Sequence, residues 1–345
     1  WLSGSYIGLV LLPMVGAVAT FHTFHDASHG ALSSKSWVNE FFTYSGFMIG
    51  APHEWYWQHV ACHHVWTNLE GSDPDAKHAR RWVKPVEKRF PLSAVPVLWS
   101  IAVPLGLQVL ASMRYFLSIA GLCQLEPECK GQPPPTASAM SLVALFAQRF
   151  IFFVLPVLRF GFSGIPWAMY PAVVFSLLFM LNTQLAHLND DTGGESPKRA
   201  SDCWYKHQLA HSSDFAVNST WHWFVSGGLN LQSVHHLFPT IDHSHLPHLR
   251  PIIAGVCQQH GVEHHAFSSY TAAAVSHLRL LGGSDEGSAS SSIYGGKVWH
   301  RRRACQGKPK HARADHDLSY DVEYLLLDLD EVDSGGLKGV APWAL

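Results

Sequence analysis

Three short clusters of histidine have residue types and spacings that could bind a metal ion. In chain order the clusters are His25 and His29; His59, His63 and His64; and Gln232, His235 and His236. Positions i, i+3 and i+4 of a helix share one face, so the third cluster directs three donors the same way. Imidazole is a good ligand for iron, zinc, copper and nickel. The clusters therefore predict a transition-metal site, provided that the fold brings them together.

The high histidine content determines how informative each cluster is. With 24 histidines in 345 residues, an HxxxH pair is expected by chance about 1.7 times, so the first cluster alone proves nothing. The additional adjacent histidine of the second cluster lowers the chance expectation to about 0.1. Because all three clusters flank apolar stretches, we interpret them as one functional set and not as scattered, solvated side chains.

The number of donors indicates more than one metal ion. A structural zinc site closes with four ligands, whereas eight or nine donors suit two ions. Iron with open coordination positions is the metal that activates O2. His187 closes an apolar stretch and is a further candidate, because an ionisable residue at a membrane helix is functional by default. Asp26 and Asp242 are predicted to orient ring N–H groups of the ligands.

Other histidines and the cysteines are assigned supporting or surface positions. His22 lies one turn before the first cluster and could be a ligand, but a position beside the site or in support of a ligand is favoured. His243, His245 and His248 are predicted to lie at the surface or behind the ligands. Cys62 could be a thiolate ligand, but it is predicted to fill space between ligands because the histidines already provide enough donors. All six cysteines are scattered without a CxxC pair, which predicts reduced thiols.

The elements that must position these residues are apolar. Charged residues make up 14% of the chain and hydrophobic residues 47%, whereas soluble domains have about 25% charged residues. Residues 4–21, 139–160 and 165–187 are long enough to cross a bilayer as helices. Residues 41–53 are too short and suit an interfacial segment. Residues 91–112 are long enough to cross but contain three prolines.

If the clusters share one site, all must lie on one face of the membrane. The second and third clusters then need an even number of crossings between them, which 139–160 and 165–187 supply. Residues 91–112 are therefore predicted to lie along the interface. The Lys/Arg-rich residues 80–89 place the histidine face in the cytosol. The predicted fold is an all-α integral membrane helical bundle with a histidine-rich cytosolic cap.

Composition divides the chain into two regions. Residues 1–281 are predicted to form one membrane domain, and residues 282–345, which are Gly/Ser-rich and then highly charged, a flexible low-complexity tail. The first residue is Trp1, so we expect the sequence to begin inside a longer protein. A net charge of −2 gives no reason to expect nucleic-acid binding.

The segments HDASHG, WYWQHVACHHVWTN and GGLNLQSVHHLFP resemble the three histidine boxes of membrane fatty acid desaturases. Gln232 in place of the first histidine of the third box, followed by HHLFP, resembles the front-end subgroup. The resemblance runs from about residue 5 to about residue 282. It implies insertion of a cis double bond between an existing double bond and the carboxyl end of a polyunsaturated acyl chain.

The resemblance also implies a di-iron cap, with O2 as co-substrate and electrons from cytochrome b5 and its reductase. The substrate would be a fatty acyl lipid or an acyl-CoA, in the endoplasmic reticulum membrane. The implied iron ligands are His25, His29, His59, His63, His64, His235 and His236, with Gln232 alongside. His187 matches the histidine that binds iron at the end of the last membrane helix in related desaturases.

The chain departs from the family pattern in three ways, one of which is Cys62 in place of the Gly often found before the paired histidines. The second box is HxxxHH where HxxHH is common, and with the following Thr67-Asn68 and Asp73-Pro74-Asp75 it resembles Δ5-type enzymes most. Δ4, Δ6 and Δ8 activities remain open. The cytochrome b5 domain with its HPGG motif is absent from the sequence, which leaves truncation and a separate donor as alternatives.

Other functions remain open at this stage. The same site could act as a di-iron lipid hydroxylase or another lipid oxygenase, and a non-catalytic homologue is a further possibility. A divalent-metal transporter would place its ligands near the midplane of the spans. Nearly all histidines here lie outside the apolar stretches, which argues against transport.

The spacing of the second cluster predicts an irregular helix. Each residue of a regular α-helix advances about 100°, so His64 would point about 140° away from His59. A π-bulge absorbs one extra residue locally and is frequent at functional sites. We therefore predict a bulge or broken turn at 59–63, with His59, His63 and His64 all facing the other clusters.

Overall fold

The computed structural model describes residues 1–49, 52–75, 137–193, 196, 198–201 and 203–282. The described chain is mostly helical, in agreement with the predicted fold class. Its α-helices are α1 Tyr6–Val18, α2 His25–Ser28, α3 Ser36–Phe42, α4 Pro52–Trp55, α5 His64–Trp66, α6 Ala139–Arg149, α7 Leu155–Phe160, α8 Gly164–Thr183, α9 Trp204–Ala210, α10 Thr220–Ser226, α11 Gln232–Leu237, α12 Leu246–His260 and α13 Tyr270–Gly282. The predictions for residues 91–112 and for the tail beyond residue 282 lie outside the described residues.

Shorter segments of other types connect these helices. π-Helical segments occupy Ala19–Phe24, Tyr56–His63 and Phe150–Val154. Turns of 3-10 helix occupy Thr43–Ser45, Gly161–Ser163, Gln184–Ala186 and His243–His245. Two short strands, β1 Asp214–Phe215 and β2 Ala266–Phe267, pair in parallel. This pair is the departure of the described residues from an all-α fold.

Two helical stretches, Tyr6–Ser28 and Ala139–Ala186, are long and apolar enough to cross a membrane. The second stretch reverses at Gly161, whose φ of 62° lies in the left-handed region that glycine adopts without strain. Helix α8 then packs back against α7 and the π-helical segment before it. The predicted helical hairpin over residues 139–187 is thus confirmed as a fold element, and its crossing of a bilayer stays a prediction.

Helices α1 and α8 lie side by side and run in the same direction. Tyr6 contacts Trp167 with ring centroids 5.4 Å apart near their beginnings, and Phe21 stacks on Phe179 at 5.7 Å near their ends. The end of α1 leads directly into the first histidine cluster, and the end of α8 leads to His187. Parallel packing therefore brings these two parts of the site to the same level.

The third cluster lies on α11, a helix of six residues that are all buried. A helix this short gains little stability from its own hydrogen bonds, so packing must hold it. Its apolar residues Val234 and Leu237 belong to a core cluster with residues of α9 and α12. Asp214 also fixes its first turn by accepting hydrogen bonds from the Ser233 backbone N–H at 3.0 Å and from Arg250 Nε at 3.1 Å.

Candidate metal centre

The second histidine cluster lies on a π-helix, as its spacing predicts. The π-helical segment runs over Tyr56–His63, and the backbone N–H of His64 donates to the carbonyl of His59, five residues earlier. The wider turn brings His64 Nε2 to 3.3 Å from His59 Nε2. The ring of His63 stacks on that of His59 with an interplanar angle of 17°. All three imidazoles face the other clusters, so the prediction of a bulged segment is confirmed.

One set of convergent nitrogens draws on all three clusters. We call it the first histidine group; its potential ligand atoms lie within 4.8 Å of one another, and its members are His25, His29, His59 and His235. Nε2 of His25 lies 3.2 Å from Nε2 of His59. Nε2 of His64 lies 3.2 Å from Nε2 of His235 and 3.3 Å from that of His59.

A second set lies beside the first. The second histidine group has its potential ligand atoms within 4.8 Å of one another and consists of His63, His187 and His236. Gln232 Nε2 is 3.0 Å from His187 Nε2. The ring of His64 stacks on that of His236 with centroids 4.2 Å apart, so His64 lies between the two groups. The structure thus gathers all nine residues that the sequence singled out as candidate ligands.

The donor set fits metal ions better than it fits mutual hydrogen bonds. Two nitrogens bound to one metal at about 2.1 Å and at tetrahedral to octahedral angles lie about 3.0–3.4 Å apart. The Nε2–Nε2 distances of 3.2–3.3 Å among His25, His59, His64 and His235 fall in that range. Each neutral imidazole nitrogen has only one proton or one lone pair, so His59 Nε2 cannot serve two such neighbours by hydrogen bonding alone.

The protonation state of these side chains also suits metal binding. None of the nine candidate ligands is more than 7% exposed. Burial, reinforced by neighbouring imidazoles, lowers the pKa of His59, His64, His235 and His236 well below the ordinary value. Neutral imidazole is the form that binds metals, so the buried rings keep their lone pairs available. The two groups are therefore suited to hold metal ions.

Carboxylates that the sequence analysis did not assign support the second histidine group. His63 Nδ1 lies 3.0 Å from Asp73 Oδ2 and 3.6 Å from an oxygen of Asp75. Although burial opposes its charged form, these carboxylates raise the pKa of His63 to about 9. With its Nδ1 proton held by Asp73, His63 would present Nε2 to a metal ion that displaces the second ring proton. The sequence contained this signal, because both aspartates closely follow the second cluster.

Carbonyl and amide groups hold the other rings of the second histidine group. His187 Nδ1 donates to the carbonyl of His211 at 2.9 Å. His236 Nδ1 donates to Gln208 Oε1 at 2.9 Å, and Gln208 Nε2 donates to the carbonyl of His64 at 2.9 Å. Nothing in the local sequence around Gln208 or His211 marks this role, because both partners lie far along the chain.

The remaining sequence predictions near the site have mixed outcomes. Asp26 lies 3.6 Å from His25 Nδ1, whereas Asp242 approaches His243 at 4.0 Å and contacts no candidate ligand among the described residues. His248 is exposed, as predicted. Cys62 is buried but disulfide-bonded, so the prediction of six reduced thiols is wrong at this position.

A cavity opens onto both histidine groups. Its apolar walls include Phe21, Trp55, Phe179, Met180 and Leu229. Its polar lining comprises His25, His59, His63, His187, Gln58, Asp75, Thr20, Thr183, Gln184 and Gln232. Apolar walls combined with convergent polar groups are typical of a ligand-binding site.

Comparison with known proteins gives a consistent result. A family model described as fatty acid desaturase matches residues 1–268. The chain is 28% identical over 278 residues to an acyl-lipid omega-13 desaturase of Chlamydomonas reinhardtii, covering 76% of this chain and 58% of the relative. It is 27% identical over 294 residues to a probable Delta(5) fatty acid desaturase C of Dictyostelium discoideum, covering 79% of this chain and 62% of the relative.

A bacterial relative is covered over more of its length. The chain is 30% identical over 293 residues to an sn-1 linoleoyl-lipid 6-desaturase of Synechocystis sp., covering 80% of this chain and 79% of the relative. No solved structure matches the chain. The chain therefore spans about three fifths of the length of the first two relatives and most of the third.

Proposed function

This chain belongs to the fatty acid desaturase family, and on that premise we propose that it introduces a double bond into a fatty acyl chain with O2 as oxidant. The observation that carries the proposal is the convergence of nine buried donors into two adjacent groups beside an apolar cavity. Membership of the family supplies the reaction class, and the site supplies the residues for it.

The two histidine groups are proposed to hold two iron ions. His25, His29, His59 and His235 would bind one ion, and His63, His187 and His236 the other. Gln232 lies beside His187, and His64 lies between the groups, within reach of either. Iron is favoured because its imidazole-rich sites can leave coordination positions open for O2.

When bound, the iron ions would supply the oxidising chemistry with O2 and two electrons from outside. The protein's own contribution is positioning. The walls formed by Phe21, Trp55, Phe179 and Leu229 would hold two adjacent methylenes of an extended acyl chain beside the histidines. Fixing the reacting carbons in this way lowers the entropic part of the barrier. The same apolar walls exclude bulk water from the reacting carbons.

We propose front-end regiochemistry, in which the new cis double bond lies between an existing one and the carboxyl end. The sequence features of the second and third clusters support Δ5 activity, and the names of relatives include a Delta(5) and a linoleoyl-lipid 6-desaturase. The relatives named as acyl-lipid or linoleoyl-lipid enzymes favour an acyl lipid over an acyl-CoA as substrate. Cytochrome b5 and its reductase are the proposed electron donors.

The proposed setting is a helical bundle in the endoplasmic reticulum membrane, with both histidine groups facing the cytosol. The two apolar helical stretches Tyr6–Ser28 and Ala139–Ala186 support membrane insertion. The hairpin at Gly161 returns the second stretch to the side from which it started. In the proposed topology, the first, second and third clusters would lie on one face of the membrane.

The decisive experiment is fatty-acid profiling of a host that lacks this activity and expresses the full chain. Cells are fed polyunsaturated acids that differ in chain length and double-bond position, and lipid and CoA fractions are analysed separately. We expect one additional double bond on the carboxyl side of an existing one, in the lipid fraction. A matched His235→Ala strain should give no product. Hydroxylated products would favour the lipid hydroxylase instead, and no change in any fraction would contradict the proposal.

A further inference from the structure

A row of polar contacts extends from the first histidine group to the surface. His25 Nδ1 lies 3.6 Å from Asp26 Oδ1, and Asp26 Oδ2 lies 2.6 Å from His243 Nδ1. His243 Nε2 then lies 3.1 Å from His22 Nδ1, and His22 Nε2 lies 2.6 Å from the carbonyl of Phe224. Neither His22 nor His243 belongs to the histidine groups, and the proposed reaction does not use them.

The acceptors at the two ends of this row determine how many protons the imidazoles of His22 and His243 carry. The Phe224 carbonyl only accepts, so His22 Nε2 must carry a proton, and an ionised Asp26 requires a proton on His243 Nδ1. The contact between His243 Nε2 and His22 Nδ1 needs a third proton. Two neutral imidazoles hold only two ring protons in total. The His22–His243 pair therefore carries one proton in excess, and a charge of +1.

The surroundings favour this distribution of charge. A carboxyl group is a stronger acid than an imidazolium, and Asp26 Oδ2 also accepts the backbone N–H of His243 at 3.1 Å. Although burial opposes the charged form, the bond to Asp26 raises the pKa of His243, with a smaller contribution from Asp242. Among the described residues, the uncharged rings of Trp223 and Phe224 also pack against the pair.

Asp26 needs such a counter-charge, because it is only 3% exposed. A buried charge that loses its partner is strongly destabilising. Its other oxygen faces Nδ1 of His25, whose Nε2 faces His59 at 3.2 Å. A carboxylate behind a metal-binding histidine orients the ring and raises its basicity. Asp26 can orient the ring of His25 and raise its basicity only while Asp26 itself stays charged and fixed in position.

We propose that His22 and His243 share one excess proton and form a cationic pair that fixes Asp26, and through it the ring of His25, for metal binding. Both are positioning residues and contact neither the acyl chain nor a metal ion. The proposal rests on the proposed function in one respect, namely that the first histidine group binds a metal ion.

The test measures iron binding by the wild-type chain and its variants. Each full-length chain is purified in detergent and titrated with Fe2+ in the absence of O2. Wild type should bind two ions. His243→Gln should weaken binding of one ion about tenfold or more and leave the other unchanged, because only the first histidine group depends on Asp26. His243→Arg should bind both, since a guanidinium keeps a positive charge beside Asp26. His248→Gln, an exposed histidine in the same part of the chain, is the matched control.

Two results would overturn the proposal: full binding by His243→Gln, or equal weakening in His243→Gln and His243→Arg. Thermal unfolding of the iron-free chains gives an independent readout. His243→Gln should lower the unfolding temperature, and adding Asp26→Asn should recover part of the loss, because the unpaired charge is then removed. If adding Asp26→Asn recovered none of the lost unfolding temperature, this lack of coupling between the two substitutions would contradict the cationic pair. A wild-type chain that bound no iron but showed the coupling would instead refute the proposed metal centre.

Discussion

In the second histidine group every ring is held by a hydrogen bond from behind, whereas in the first histidine group two of the four rings have no such bond within the described part of the chain. His63 is bonded to Asp73, His187 to the His211 carbonyl and His236 to Gln208. By contrast, His25 Nδ1 and His59 Nδ1 have no hydrogen-bond partner among the described residues. Outer hydrogen bonds fix ring orientation and raise affinity for metals. The second group is therefore preorganised, and the first relies on packing, on the more distant Asp26 and on the metal itself.

This difference predicts that the two groups release metal unequally. A chelator should remove the ion of the first histidine group before that of the second. It also means that substitutions behind the rings should affect one group at a time.

Removal of one ligand from each group should have the largest effect. His63→Ala and His235→Ala should each abolish product formation, because neither side chain has a neighbour placed to replace it. Each variant should also lose about one of two bound iron ions, measured by metal analysis of the purified protein. His248→Ala should retain iron and activity. Comparable iron loss in all three variants would contradict the ligand assignment.

The Asp73 carboxylate should matter next most. Asp73→Asn removes the negative charge behind His63 Nδ1 and lowers the pKa of His63 from its raised value of about 9. Loss of such a carboxylate typically costs 10–100-fold in metal affinity. The loss should be confined to the second histidine group and should exceed that of Asp26→Asn, because Asp26 lies farther from its ring. Iron titration of both variants measures the two losses of affinity. A larger loss for Asp26→Asn would contradict the conclusion that the second histidine group depends more on its supporting hydrogen bonds.

A smaller loss is expected at Gln208. Gln208→Leu removes the acceptor for His236 Nδ1 and the donor to the His64 carbonyl. We expect about tenfold weaker binding of one iron ion, at the low end of the range for a partner behind a metal ligand. Gln208→Glu restores the acceptor and should recover affinity at the second histidine group. If Gln208→Leu and Gln208→Glu weakened iron binding equally, loss of the hydrogen bond to His236 would not be the cause of the weakening.

The parts of the site that could be predicted from the sequence are those that depend on local spacing. The offsets of His59, His63 and His64 cannot share a face in a regular helix, and this conflict predicted the π-helical segment. Apolar runs likewise predicted the helical stretches and the hairpin over 139–187. Each of these inferences needs only neighbouring residues.

The parts that could not be predicted depend on pairs far apart in the chain. Asp26 and His243 are separated by 217 positions, and His236 and Gln208 lie on different helices. No periodicity links such pairs, because their contact depends on how helices pack. The role of Asp73 was within reach, since it follows His63 by only ten positions.

The smallest effect is expected where packing alone supports a ring of the first histidine group. Trp55 stacks on His59 with centroids 4.3 Å apart, and its Nε1 donates to Ser28 Oγ at 3.1 Å. Trp55→Leu removes the aromatic face and should weaken iron binding at that group by a few-fold, since an aromatic pair contributes about 0.5–1.5 kcal/mol. Trp55→Phe keeps an aromatic ring against His59 and loses only the hydrogen bond to Ser28. Its affinity for iron, measured by titration, should therefore lie between those of Trp55→Leu and wild type. Equal affinities for Leu and wild type would mean that His59 is fixed by the metal alone.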